Sequence, residues 1–210
     1  MPEIPDLAQP EGWLPLAFML IMALSMLAYV ILDGFDLGVG ILLQRANDAE
    51  KDLMIASIGP FWDANETWLV LGIGILLVAF PVAHGVILTA LYLPISVMLL
   101  GLILRGVAFD FRVKAHAQHK ESWNLAFFAG SLLAATSQGY MLGRVVTGFE
   151  ITLATTLFSL FIGLCLAAGY ALLGATWLII KTEGALQLKA VAQARLALVL
   201  TALGIGAVSF

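Results

Sequence analysis

The chain has 210 residues, of which 61% are hydrophobic and 11% charged, with a mean hydropathy of +1.01. A soluble domain carries about 25% charged residues, so the composition excludes an ordinary soluble globule and indicates an all-α, polytopic membrane protein. A net charge of −4 without a basic cluster argues against a nucleic-acid partner.

Six apolar stretches follow in order, and they read as one transmembrane bundle over 1–210. The first helix, about 14–43, begins with a charge-free run and ends in a polar, glycine-rich patch. No Lys or Arg precedes Arg45, whereas Glu3, Asp6 and Glu11 are acidic. A cleavable signal peptide needs a basic leader, so this is read as an uncleaved span. The second helix, about 58–80, starts near Pro60, a residue suited to the first helical position, and stops before Pro81. The third (82–108), fourth (123–144) and fifth (151–180) are long enough to cross. A sixth, about 194–210, has an apolar run of only 15 residues from Leu196 to the last residue, Phe210. A span needs about 20 residues, so the sixth is expected to be incomplete and the chain truncated.

Nine of the ten Lys and Arg residues fall on alternate connections: Arg45 and Lys51; Arg105, Arg112, Lys114 and Lys120; Lys181, Lys189 and Arg195. Only Arg144 falls on the other side. Basic residues mark the cytoplasmic side, which predicts an N-terminus outside.

The polar residues carry the chemistry. Without its acids the second helix would run only from Trp68 to Phe80, too short to cross, so Asp63 and Glu66 are expected within its first two turns. Their spacing of three places them on one face. Asp33 and Asp36 repeat that spacing, interleaved with Gly34 and Gly38, a G-x-x-x-G pattern that admits a close neighbouring backbone. Arg105 and Asp110 flank the expected end of the third helix. Three helices thus bring acids to the cytoplasmic face with Arg105 near them. Ionisable residues within spans are costly and usually functional, although helix capping accounts equally well for Glu66. Gly139 and Gly143 form a second close-packing pattern near the outer side.

Other signals are weaker. Cys165 has no partner for an intrachain disulfide. Met19, Met22 and Met26 form a helical stripe of the kind that usually packs. His84 lies at the outer end of the third helix, and His116 and His119 lie in a basic loop. None is at mid-membrane depth, where a haem would need its axial ligand.

The motifs DGFDLGVG (33–40), GPFWDANETWL (59–69), RGVAFDFR (105–112), GYMLGRVVTGF (139–149) and GATWLIIKTEG (174–184) together resemble subunit II of cytochrome bd-type quinol oxidases, in the order found in that family. The ANETW wording also resembles its cyanide-insensitive branch. The resemblance implies a respiratory complex of the bacterial cytoplasmic membrane that oxidises quinol and reduces oxygen to water. Its haem-bearing partner, subunit I, would hold two b-type haems and haem d. This chain would bind none, would support that partner, and would supply acids to a cytoplasmic proton route. Carried over residue by residue, Asp63, Asp33 and Asp110 are the route acids, Arg105 is their charge partner, and Glu66 and Asp36 are additional candidates. Small single-helix accessory subunits and a structural quinone are further expectations from the family. Family members are also longer, by about two helices. Two other readings of the residues stay open: a secondary transporter whose acids bind a coupling ion, and a purely structural assembly subunit.

Overall fold

A computed structural model describes residues 7–209, and the elements described are all helical. They are α1 (Pro10–Leu42), α2 (Asp48–Ile58), α3 (Trp62–Ala79), α4 (Pro81–Lys114), α5 (Ala117–Val146), α6 (Leu153–Lys181) and α7 (Gly184–Ser209), with a 3-10 turn at Leu43–Arg45 after α1. All but α2 are long and apolar enough to cross a membrane. The chain is an all-α polytopic membrane protein.

Helix α2 is an element that the apolar pattern alone does not reveal. Asn47 accepts from the Glu50 backbone N–H while the Glu50 carboxylate accepts from the Asn47 N–H, a reciprocal cap that starts the helix. At 11 residues it is too short to span. It lays Met54, Ile55 and Ile58 into an apolar core with Leu42, Leu43, Phe127 and Leu178.

Because α2 runs to Ile58, Pro60 is not the first residue of the second spanning helix. It sits in the turn between α2 and α3, closed by the Phe61 N–H on the Ile58 carbonyl. Proline has no N–H with which to join two helices into one. Helix α3 then begins at Trp62 and has 18 residues, about 27 Å, a near-minimal crossing.

Helix α4 continues past the expected end at 108 to Lys114. Asp110 therefore lies within the helix instead of flanking its end. Arg105 stands nine residues, about 14 Å, from the C-terminus of α4. The last element, expected from 194 as an incomplete span, is a 26-residue helix starting at Gly184, whose φ of +66° turns the chain after α6. It absorbs Lys189 and Arg195.

Helix α1 packs against α3, α5 and α6; α4 packs on α5, and α7 on α6. The α1–α6 seam is tightest at Gly38 and Gly174. A Cβ on Gly38 would lie within 2.6 Å of the Gly174 nitrogen, and a Cβ on Gly174 within 2.6 Å of Gly38 Cα. At the other end of the bundle, Gly139 and Gly143 also bring α5 close to α6, where a Cβ would meet Gly163 Cα and Ser159 Cα at 2.6 Å. A second apolar core, of Leu37, Met98, Leu102, Ala134, Ala167 and Tyr170, fills the space between these seams.

Candidate functional site

The glycine seam brings α1 close to α6, and beside it α1 turns its two acids inward. Asp33 is fully buried and Asp36 nearly so, at 0% and 2% exposure. Their spacing of three keeps both on the inner side of the helix. Helix α4 presents Arg105, itself 1% exposed, with Nη1 2.6 Å from Asp33 Oδ1 and Nη2 3.0 Å from Glu66 Oε1. One guanidinium thus ties α1 to α3 through two carboxylates.

Asp36 is held separately. Asn65 Nδ2 donates to its Oδ2 at 2.8 Å and also reaches the Leu32 carbonyl at 3.3 Å. The Asp33–Arg105 contact is an ion pair at contact distance without hydrogen-bond alignment. Asp33 Oδ2 and Arg105 Nε have no hydrogen-bond partner, so this polar centre is charge-paired but not saturated.

The expected site residues divide into two groups. Asp33, Asp36, Glu66 and Arg105 come together. Asp63 and Asp110 lie at exposed positions of α3 and α4, and Arg105 pairs with Asp33 and Glu66 instead of with them. The one-face expectation for Asp63 and Glu66 gives way to a finer geometry. Residues three apart differ by about 60° around a helix of 3.6 residues per turn. Here that angle turns Glu66 inward and leaves Asp63 outside. Gly34 adjoins the cluster, where a Cβ would meet the Tyr170 ring and Leu173 at 2.9 Å.

Near Asp33 lies a hydrogen-bonded chain that sequence spacing does not expose. Tyr170 donates to Gln138 Oε1 at 2.6 Å, and Gln138 Nε2 donates to the Tyr29 hydroxyl at 2.8 Å, one turn before Asp33. Tyr29 alone carried a signal, its i, i+4 relation to Asp33. Gln138 and Tyr170 lie on other helices and needed the fold.

A second ionic set lies at the same end, around α2. Lys51 pairs with Glu121 at 2.8 Å, Arg112 with Asp52 at 2.7 Å, and Lys189 with Glu50 at 2.7 Å. Asn124 joins the set, donating to Glu121 and accepting from Arg112 Nε. The Lys189 hydrogen bonds, followed by that from the Asn47 backbone, hold the Glu50 carboxyl below the ordinary range.

His116 is exposed at the N-cap of α5 and His119, expected in a loop, is exposed in its first turn, while His84 stands in the first turn of α4. Among the described residues no three His, Cys, Asp or Glu side chains gather as metal ligands.

This arrangement sits within a recognisable sequence. Residues 14–210 match the family model of cytochrome bd terminal oxidase subunit II. The chain belongs to that family. It is 37% identical over 135 residues to cytochrome bd ubiquinol oxidase subunit 2 of Bacillus subtilis, covering 63% of this chain and 40% of the relative. It is 29% identical over 199 residues to cytochrome bd-I ubiquinol oxidase subunit 2 of Escherichia coli, covering 87% of this chain and 52% of the relative. A third relative, the probable cytochrome oxidase subunit 2 of Haemophilus influenzae, is 30% identical over 179 residues, covering 77% of this chain and 47% of the relative. The chain spans about half the length of the curated relatives it matches. Those relatives are named as second subunits of cytochrome oxidases. The five motifs that pointed to the family all fall within the matched residues.

Proposed function

We propose that this chain is the haem-free supporting subunit of a bacterial respiratory quinol:oxygen oxidoreductase, and that its acids carry protons from the cytoplasm towards the partner that reduces oxygen. The observation that carries the reading is the gathering of Asp33, Asp36 and Glu66 near a single cation, Arg105, at the end of the bundle rich in Lys and Arg. Three carboxyl groups gather around one fixed positive charge, an excess of acid over cation that supports a proton-carrying role. Basic residues mark the cytoplasmic side, which supports the reading with this cluster on the proton-uptake side and the N-terminus outside.

Each residue then has a task. Exposed Asp63 and Asp110 collect protons at the surface, and Asp63 stands one turn from half-buried Glu66. Glu66 receives the proton while Arg105 holds its carboxylate in place. Asn65 orients Asp36. The tight α1–α6 seam keeps lipid and bulk water from the inner acids.

Two b-type haems and haem d, bound by the haem-bearing subunit I, would supply electron transfer and oxygen reduction. The histidines support the haem-free reading: two of the three are exposed at the basic end, and the third lies in a terminal helical turn. An axial ligand has to face the haem iron within the bundle.

The test is Asp63→Asn in the purified complex. The amide keeps the shape but cannot pass a proton, so quinol-driven oxygen consumption should fall about a hundredfold, at the low end of general acid–base effects. Subunit stoichiometry and haem content should stay unchanged. Full turnover in an assembled Asp63→Asn complex removes Asp63 from the route, and loss of assembly makes it a structural charge.

A further inference from the structure

Away from the acid cluster, two apolar cavities on the flank of the bundle join end to end. The first, about 360 Å³, lies where α1, α5, α6 and α7 meet and is lined by Ile41, Leu132, Ala171 and Leu200 together with Gln44 and Arg45. The second, about 530 Å³, runs on between α6 and α7 past Leu164 and Leu203. Ala168 and Leu200 line both, so the two form one groove. From Ala171 to Phe161 along α6 the groove extends ten residues, about 15 Å. That is half of a hydrocarbon core about 30 Å thick.

The groove has two chemically different ends. The end far from the basic face, around Phe161, Cys165 and Ala207, is apolar. The near end holds Gln44, whose Nε2 is buried without a hydrogen-bond partner, and Arg45, which forms no ion pair among the described residues. Arg195, next in the chain to the lining residue Leu196, is likewise without an ion pair there. A buried amide donor is costly to leave unpaired. Cations between spanning helices on the basic face suit an anionic lipid headgroup.

We infer that this groove is a binding site for one anionic phospholipid. Its phosphate would accept from Gln44 Nε2 and Arg45, and one acyl chain would lie along α6 and α7 to the depth of a single leaflet. An isoprenoid quinone would fill the same apolar length but offers no anion to the arginines. A protein segment would need an acidic end at the same place.

The test is independent of oxidase activity. The purified complex carrying this chain at full length is delipidated in detergent and titrated with dioleoyl phosphatidylglycerol or dioleoyl phosphatidylcholine, and bound lipid is counted by native mass spectrometry. The intact complex should hold one phosphatidylglycerol at this site about tenfold more tightly than phosphatidylcholine. Arg45→Gln should abolish that preference while leaving the neutral lipid bound. Ala168→Phe should remove both lipids by filling the groove, with subunit stoichiometry showing that the complex is still assembled. Equal affinity for the two lipids in the unsubstituted complex overturns the proposal. So does a preference that survives Arg45→Gln, or a quinone that copurifies in the groove and is lost with Ala168→Phe. Arg45 is exposed, so its substitution reports on the site even where Ala168→Phe fails to fold. Because none of these readouts needs turnover, an inactive complex decides the question equally well.

Discussion

The basic end of the bundle contains two ionic clusters of similar make-up and very different surroundings. Around α2, Lys51, Arg112 and Lys189 each meet a carboxylate, and at least one partner of each pair is about half-exposed or more: Glu121 for Lys51, Asp52 for Arg112, and Lys189 itself for Glu50. Between α1, α3 and α4, Asp33 and Arg105 are both fully enclosed and acids outnumber the cation. Pairs of the first kind gain little, because water solvates either partner once they separate. In the second, neither partner has water to return to, so the two stand or fall together. The contrast separates charges that staple helices from charges kept at a cost inside the bundle, where function is the usual reason for retaining them.

The deepest test of that contrast is Arg105→Met, which leaves Asp33 buried without a counter-charge. Removing one partner of a buried pair costs about 3–5 kcal/mol, so the purified complex should be recovered in low yield and melt at markedly lower temperature. A double substitution, Arg105→Met with Asp33→Leu, should recover much of that loss. Failure of the double to recover would show that Arg105 is held by more than Asp33. Asn65→Leu comes next. It leaves the Asp36 carboxylate without its donor, at a cost of about 1–3 kcal/mol for an unsatisfied buried group. Thermal unfolding of the complex measures it, and an unchanged midpoint would place Asp36 with the stapling charges.

The smallest effect belongs to the outer set. Glu50→Gln weakens the Lys189 contact and should lower the melting temperature slightly at neutral pH. Because the folded Glu50 carboxyl is held below its ordinary value of 4.5, its contribution is fully present above that value. It is lost as pH falls through the depressed folded pKa. The difference between Glu50→Gln and the unsubstituted protein should therefore be constant near pH 7 and vanish well below pH 4.5. A difference that persists in acid would assign Glu50 a role beyond its charge.

The six crossings were legible because uninterrupted apolar runs of span length have few other uses. Helix α2 was not, since residues 46–58 mix charges with apolar residues at no clear period. The signal was present all the same, in Asn47 followed three residues later by Glu50. The acids themselves stood out as charges beside lipid-facing sequence. Which of them Arg105 would choose did not, because the answer depends on how α3 is rotated against α1 and α4. Asn65 lay within a motif that had already drawn notice, yet an amide beside two acids reads as polar filling until Asp36 is seen buried against it. Gln138 is legible only from the fold, since its partners lie 109 and 32 residues away.

The Asp33–Arg105 pair also fixes an order of events while the protein is being made. The two partners are 72 positions apart in the chain, and at about 5–20 residues per second the ribosome needs on the order of ten seconds to pass from one to the other. Through that interval the first helix must be held with an unmatched acid near one end. Closure of the Gly38–Gly174 seam comes later still, after the third, fourth and most of the fifth spanning helices have emerged. Insertion therefore depends on whatever shelters α1 beside the translocation machinery during that wait. A strain that cannot provide such shelter would lose the subunit during biogenesis, with every residue of its finished site intact.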